Sequence, residues 1–272
     1  MPGLIPNGQS MRSLLLVFCL VLCVAAQTVV YTRDGSAIPV ESNDNTPPEG
    51  GNVKYQNALS RAESHGGFQV DPPASGSNCV GWALNGGQGV IDPGQHGDAI
   101  LSEENGLTEQ SNDTAEIGDV IGIGSADTIS HVGLVISRDG QTGEIEYISK
   151  TDDQGGVVVD RIKPDDGVHI YRKTEGSAKD DPAIQDARYE YKDAYLKWRS
   201  AEDKEAALKT LQEKARALAG KLQAFDRSLR ATRPVAESPS TSDPRKTPEP
   251  NLLINPHARP VTVPPTCPPG GH

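Results

Sequence analysis

The chain has 272 residues, a formal net charge of −11, 28 glycines and 21 prolines, and only 4% aromatic residues. An acidic chain has no general electrostatic attraction to nucleic acid or anionic lipid, so neither is expected as a main partner. The apolar content is too small for a core running the full length, which points to one modest domain flanked by extended or disordered segments.

Taken in order, Arg12 precedes an apolar run over residues 14–26 that ends Val-Ala-Ala before Gln27. A positive start, about a dozen apolar residues and small residues at the end read as a secretory signal over residues 1–27, cleaved near Ala26. The expected location is therefore periplasmic or extracellular. The run is short for a membrane helix, so no stable span is expected once it is removed. Leu22-Cys23 leaves lipidation at Cys23 open. Cys19 and Cys23 fall in this signal, which leaves Cys79 and Cys267 in the mature chain and no disulfide framework.

Residues 28–52 read as a polar linker with one strand near 29–32, and a helix is expected over 53–63. Residues 64–76 read as loop. A short helix opens at Cys79, capped by Ser77 or Asn78 and stopped by Gly86-Gly87. Residues 85–116 are turn-rich, with a short helix near 99–104. Strands are expected at 120–123, 131–137, 144–149, 156–162 and 169–172, with a hairpin signal at 138–141. Helices followed by a run of strands predict an α+β domain with a mostly antiparallel sheet.

Asp181-Pro182 has the form of an N-cap and first helical position. Ile184, Ala187, Tyr191, Ala194, Trp198, Ala201, Glu205, Leu208, Leu211, Ala215, Leu218, Leu222, Phe225 and Leu229 then follow at alternating spacings of three and four. That is a heptad period. It predicts a coiled coil or helical hairpin over residues 181–230, either joining copies of the chain or broken near 199–200 with Ser200 as the second cap. A helix packed on its own domain is the plainer reading. Residues 231–272 are Pro-rich and read as a disordered tail.

The chemistry gathers at Cys79 and His131. Unpaired N–H groups and the dipole at a helix N-terminus favour a thiolate, and a histidine opening a nearby strand supplies a base and later an acid. The backbone N–H of Cys79 with a neighbouring donor would form an oxyanion hole. Each residue alone also has a structural reading, as a small buried thiol and as a strand-end imidazole bonded to backbone. His65 and His96 lie in glycine-containing loops and read as solvated. No spacing fits zinc, calcium or a dinucleotide, so neither a metal nor a cofactor is expected.

Asn-Cys-Val-Gly-Trp, then Gly-Asp-Val-Ile-Gly-Ile, then Ser-His-Val-Gly-Leu-Val-Ile resemble the NlpC-type cysteine peptidases and the related CHAP amidases. The resemblance covers roughly residues 53–175 and implies a papain-like domain in which Cys79 is the nucleophile and His131 the base. It also implies a third polar residue on or just after the next strand. Glu146 reads as a solvent-facing strand residue. Ser149, near the strand end, and Asp152, a better acceptor placed in the turn, stand level. The residues around Cys79 follow neither family's usual pattern, so no substrate preference carries over.

The expected function is an exported cysteine hydrolase that cleaves an amide or peptide bond, in cell-wall peptidoglycan, through a Cys79 thioester. Interception of that thioester by an amine would make it a transferase instead. The rival is a non-catalytic exported binding or assembly protein, with a degenerate papain-like domain and a functional coiled coil that forms a homo-oligomer.

Overall fold

The computed structural model describes residues 29–31, 37–41, 46–87, 89–92, 100–125, 128–165 and 167–231. The expected export signal, His96, the start of the helix expected near 99 and the tail beyond 231 lie outside them. The described part is an α+β fold built on one seven-stranded sheet, antiparallel at every pairing. None of its helices is long and apolar enough to cross a membrane.

A short pair, β1 (Val29–Tyr31) and β2 (Ala37–Pro39), precedes the main body. Helix α1 spans Val53–Ser64, its first turn capped by the Asn52 side chain, which accepts from the Tyr55 N–H. Strand β3 (Phe68–Asp71) follows, then α2 (Cys79–Leu84) and β4 (Leu107–Gln110). Strands β5 (Val120–Ser125), β6 (Thr128–Arg138), β7 (Ile145–Lys150), β8 (Val157–Ile162) and β9 (Val168–Lys173) complete the sheet in the order β3-β8-β7-β6-β5-β9-β4.

The five strands expected between 120 and 172 all form, as does the one expected near 29–32, which is β1. The stretch expected as loop, 64–76, instead carries β3, and the turn-rich stretch carries β4. Both are four-residue strands at the sheet edges, paired with partners sixty or more residues away. Their pairing is decided by the neighbouring strand rather than by any local pattern. The β6–β7 connection is longer than a two-residue hairpin. The Asp139 carboxylate holds it by accepting the N–H groups of Gln141 and Thr142 at 2.7 and 2.8 Å.

Alternation divides the sheet into two apolar faces. Val120, Val132, Leu134, Ile136, Ile148, Val157 and Val159 join α2 and the C-terminal helices in the larger core. Ile121, Val135, Ile145, Tyr147, Val168 and Ile170 form a smaller cluster of the opposite parity.

The apolar stripe beyond residue 181 folds as two helices packed on each other, α3 (Pro182–Ser200) and α4 (Lys204–Ala231). Asp181 caps α3 as expected, accepting from the N–H groups of Ala183 and Ile184 at 2.8 and 3.1 Å. The break lies a few residues later than expected. Asp203, not Ser200, caps α4 by accepting the Ala206 N–H at 3.0 Å. The Ser200 hydroxyl instead donates back to the carbonyl of Leu196 at 3.1 Å. Ile184, Ala187, Tyr191 and Ala194 of α3 and Leu211, Ala215, Leu218 and Leu222 of α4 are buried in the same core as the sheet. A buried Lys173–Asp226 pair at 3.1 Å ties β9 to α4.

Candidate active site

The site begins with how α2 is anchored. Asn78 is its N-cap, accepting the Gly81 N–H at 3.0 Å. The same amide holds Ile91 through both of its backbone groups, donating to the carbonyl at 2.6 Å and accepting from the N–H at 3.2 Å. Gly86 and Gly87 follow the helix with φ of 63° and 88°, a left-handed backbone that glycine adopts without strain. All six helical residues are buried, so the position of Cys79 at the first turn is set by packing on every side.

Helix α2 packs against β6 and β7. The β6–β7 register ends at Leu134↔Ile148, two residues short of Val132. Beyond that point the backbone N–H groups of Val132, Cys79 and Val80 lie near enough to the Cys79 sulfur to favour its thiolate. The thiol is therefore near the backbone of the residue that follows His131.

His131 does not open its strand. Strand β6 begins at Thr128, and His131 pairs with Ile123 next to a register shift between Ile123 and Gly124. Its Nε2 lies 2.9 Å from the Ser149 Oγ of β7, and its ring meets the edge of Tyr147 with centroids 6.4 Å apart. Gly133 makes this approach available. A Cβ there would stand 2.8 Å from the Tyr147 ring, 3.0 Å from the Ile148 carbonyl and 3.1 Å from the Ser149 Cβ. A side chain at 133 would push β7, and Ser149 with it, away from the histidine.

Electrostatically the corner is dry. Burial pushes the Cys79 thiol above its ordinary pKa and outweighs the three N–H donors, while the Asp152 charge raises it further. Burial is also the main reason His131 falls to about 4. The Arg61 charge adds to that fall, and the charges of Asp160 and Asp152 oppose it. The helix amides reach the sulfur as the sequence led us to expect, but desolvation is the larger effect. Burial thus favours a neutral thiol at Cys79 and a neutral imidazole at His131.

Of the candidate third residues, the structure places Ser149 on the histidine and Asp152 elsewhere. Asp152 accepts from the Asn52 side chain at 2.9 Å and from the Gln154 N–H at 3.0 Å. Glu146 is not solvent-facing. It is 7% exposed, and its carboxylate accepts from Arg161 at 2.6 and 3.2 Å, Tyr191 at 3.1 Å and Ser137 at 3.1 Å. His65 is held by Asp160 at 3.0 Å.

Sequence reasoning passed over Lys150. Its ammonium group is buried and donates to the carbonyls of Ala74 and Gly155, which clamps the lead-in to Cys79 against the loop after Ser149. Burial is the main cause of its lowered pKa, opposed by the charges of Asp152, Asp153 and a Cys79 thiolate. Its place beside Ser149 in Tyr-Ile-Ser-Lys was the available signal. Among the described residues no group of three or more His, Cys, Asp or Glu side chains is arranged to hold a metal ion. Comparison of the chain with protein-family models, curated proteins and solved structures finds no match.

Proposed function

We propose that this chain is an exported cysteine hydrolase of papain-like, NlpC/CHAP-type design, cleaving an amide or peptide bond in cell-wall peptidoglycan. The observation that carries the reading is the 2.9 Å contact between His131 Nε2 and Ser149 Oγ, made one residue from Val132, whose backbone N–H favours a Cys79 thiolate. A proton on Nε2, donated to Ser149, leaves the Nδ1 lone pair as the base.

Because burial favours the neutral forms, proton transfer accompanies attack. The Cys79 sulfur bonds to the substrate carbonyl carbon as its proton passes to His131. The carbonyl electron pair moves onto oxygen, and the resulting oxyanion draws on the amide donors at the α2 N-terminus. Collapse breaks the C–N bond, with His131 returning the proton to the leaving amine. Water, deprotonated by the same imidazole, then attacks the thioester and releases the acid and the thiol.

The test is hydrolysis of purified peptidoglycan fragments by the wild type and by Cys79→Ala. The variant is expected to lose at least ~10³-fold in rate while keeping the wild-type melting temperature. Equal hydrolysis by the two proteins would end this reading. The burial of Cys79, at 5% exposure, favours a second one, in which the corner is a degenerate scaffold and the chain binds a partner without chemistry. A wild type that cleaves no fragment, with Cys79 inert to alkylation under conditions where Cys267 reacts, would select it.

A further inference from the structure

We propose that the cavity under the α3–α4 turn binds a small organic anion with a flat apolar body, such as an aromatic carboxylate or phosphate. The cavity has a volume of about 310 Å³ and is lined by Gly66, Arg161, Tyr195, Trp198, Arg199 and Lys204. It shares no lining residue with Cys79, His131 or Ser149. Its size lies at the low end of the ~300–1,000 Å³ usual for ligand pockets, suited to a small molecule rather than a polymer.

The wall is aromatic and fixed. The Tyr195 and Trp198 rings lie 5.7 Å apart at 49°, and Trp198 is braced from behind by Phe68 at 5.9 Å. Such faces accept a flat apolar group.

The remaining lining side chains are cationic, and none is acidic. Arg161 is positioned rather than free. Glu146 takes its Nε and Nη2, and the guanidinium lies 4.6 Å over the Tyr195 ring. Glu146 neutralises that one charge.

The charges of Arg199 and Lys204 have no such match. Arg199 makes no ion pair among the described residues and is exposed at the rim. The Lys204 ammonium group donates to the carbonyls of Trp198 and Arg199, both at 2.7 Å, and stands 5.8 Å over the Trp198 ring. Those carbonyls end α3 and would repel an anion; the lysine covers them and leaves its positive charge at the cavity. In a chain of net charge −11, Arg199 and Lys204, neither in an ion pair among the described residues, stand beside an aromatic wall and match a carboxylate or phosphate head on a flat body.

The experiment titrates the full-length protein with phenyl phosphate, inorganic phosphate and benzyl alcohol, read by calorimetry and by tryptophan emission. The chain has two tryptophans, Trp82 and Trp198, so Trp198→Phe identifies the emitter. Phenyl phosphate is expected to bind saturably and to change the emission in the wild type but not in Trp198→Phe. Arg199→Gln, a change at an exposed position, is expected to weaken it about tenfold or more. Inorganic phosphate should bind more weakly, and benzyl alcohol should not saturate. No saturable heat or emission change with phenyl phosphate would overturn the proposal, as would equal affinity in Arg199→Gln. Benzyl alcohol binding as tightly as phenyl phosphate would remove the case for an anion, and inorganic phosphate binding equally tightly would remove the case for a flat body.

Discussion

The two ends of β7 solve the same problem in opposite ways. Glu146 and Lys150 lie four residues apart on one face of the strand, and both carry buried ionisable groups. At the first end the charge is met by charge: Arg161 forks onto Glu146, and the Tyr191 and Ser137 hydroxyls fill the remaining acceptor sites. At the other end Lys150 is held by two carbonyl dipoles with the Asp152 and Asp153 charges nearby, and burial also governs its neighbours Cys79 and His131. Burial lowers the lysine, raises the thiol and lowers the imidazole, so each is pushed toward its neutral form. The first end is built to keep charge in place. The second disfavours charge on each of its three groups.

The largest effect should come from breaking the matched end. Glu146→Ala leaves the Arg161 guanidinium, 16% exposed as a side chain, without its counter-charge. The expected loss of folding stability is about 3–5 kcal/mol in denaturant titration at neutral pH. Glu146→Leu combined with Arg161→Met should recover most of it, because no charge is then left stranded. No recovery would mean that packing, rather than charge matching, secures this end.

The dry end should reveal itself through pH. The His131 pKa is about 4 in the folded protein and near 6.5 unfolded, so between these values the unfolded chain binds more protons. Stability should therefore fall as pH drops from about 6.5 to 4, by up to ~3 kcal/mol, with no further His131 contribution below that window. His131→Gln should lack this component. If the proposed hydrolysis occurs, its acid limb should lie near pH 4 rather than 6.5 in kcat/KM profiles.

Lys150→Met tests whether dipole matching is the weaker device. Two carbonyls lose a donor, and Asp152 and Asp153, which are only partly buried, lose a nearby cation, so the expected cost is about 1–3 kcal/mol by thermal or chemical unfolding. A cost equal to that of Glu146→Ala would erase the contrast between the two ends. Ser149→Ala should have the smallest effect, about 1 kcal/mol on stability. Its expected effect on hydrolysis is about tenfold, since it orients the imidazole without supplying charge.

Much of this was legible because it is local. Asn78 and Asp181 cap their helices through side chains that reach only two or three residues along the chain. The strands from 120 to 173 carry dense β-branched residues, which favour a pleated surface wherever they pair. Gly133 was part of the Ser-His-Val-Gly pattern, although its reason, the close approach of Tyr147 and Ser149, appears only once β6 and β7 are side by side.

What the sequence by itself determined is the strands from 120 to 173, the short helix opening at Cys79 and the Asn78 and Asp181 caps, because these follow from residue types at short spacing. Tertiary structure alone decided which residue meets His131, and it chose Ser149 over Asp152 because strand register carries the first to the ring while the turn commits the second to Asn52 and Gln154. It also turned Glu146 inward, since an arginine on β8 and a tyrosine on α3 meet it there. And it reversed the ionisation expected of Cys79: the helix amides act on the sulfur over a single turn, while desolvation sums over everything the chain packs around it.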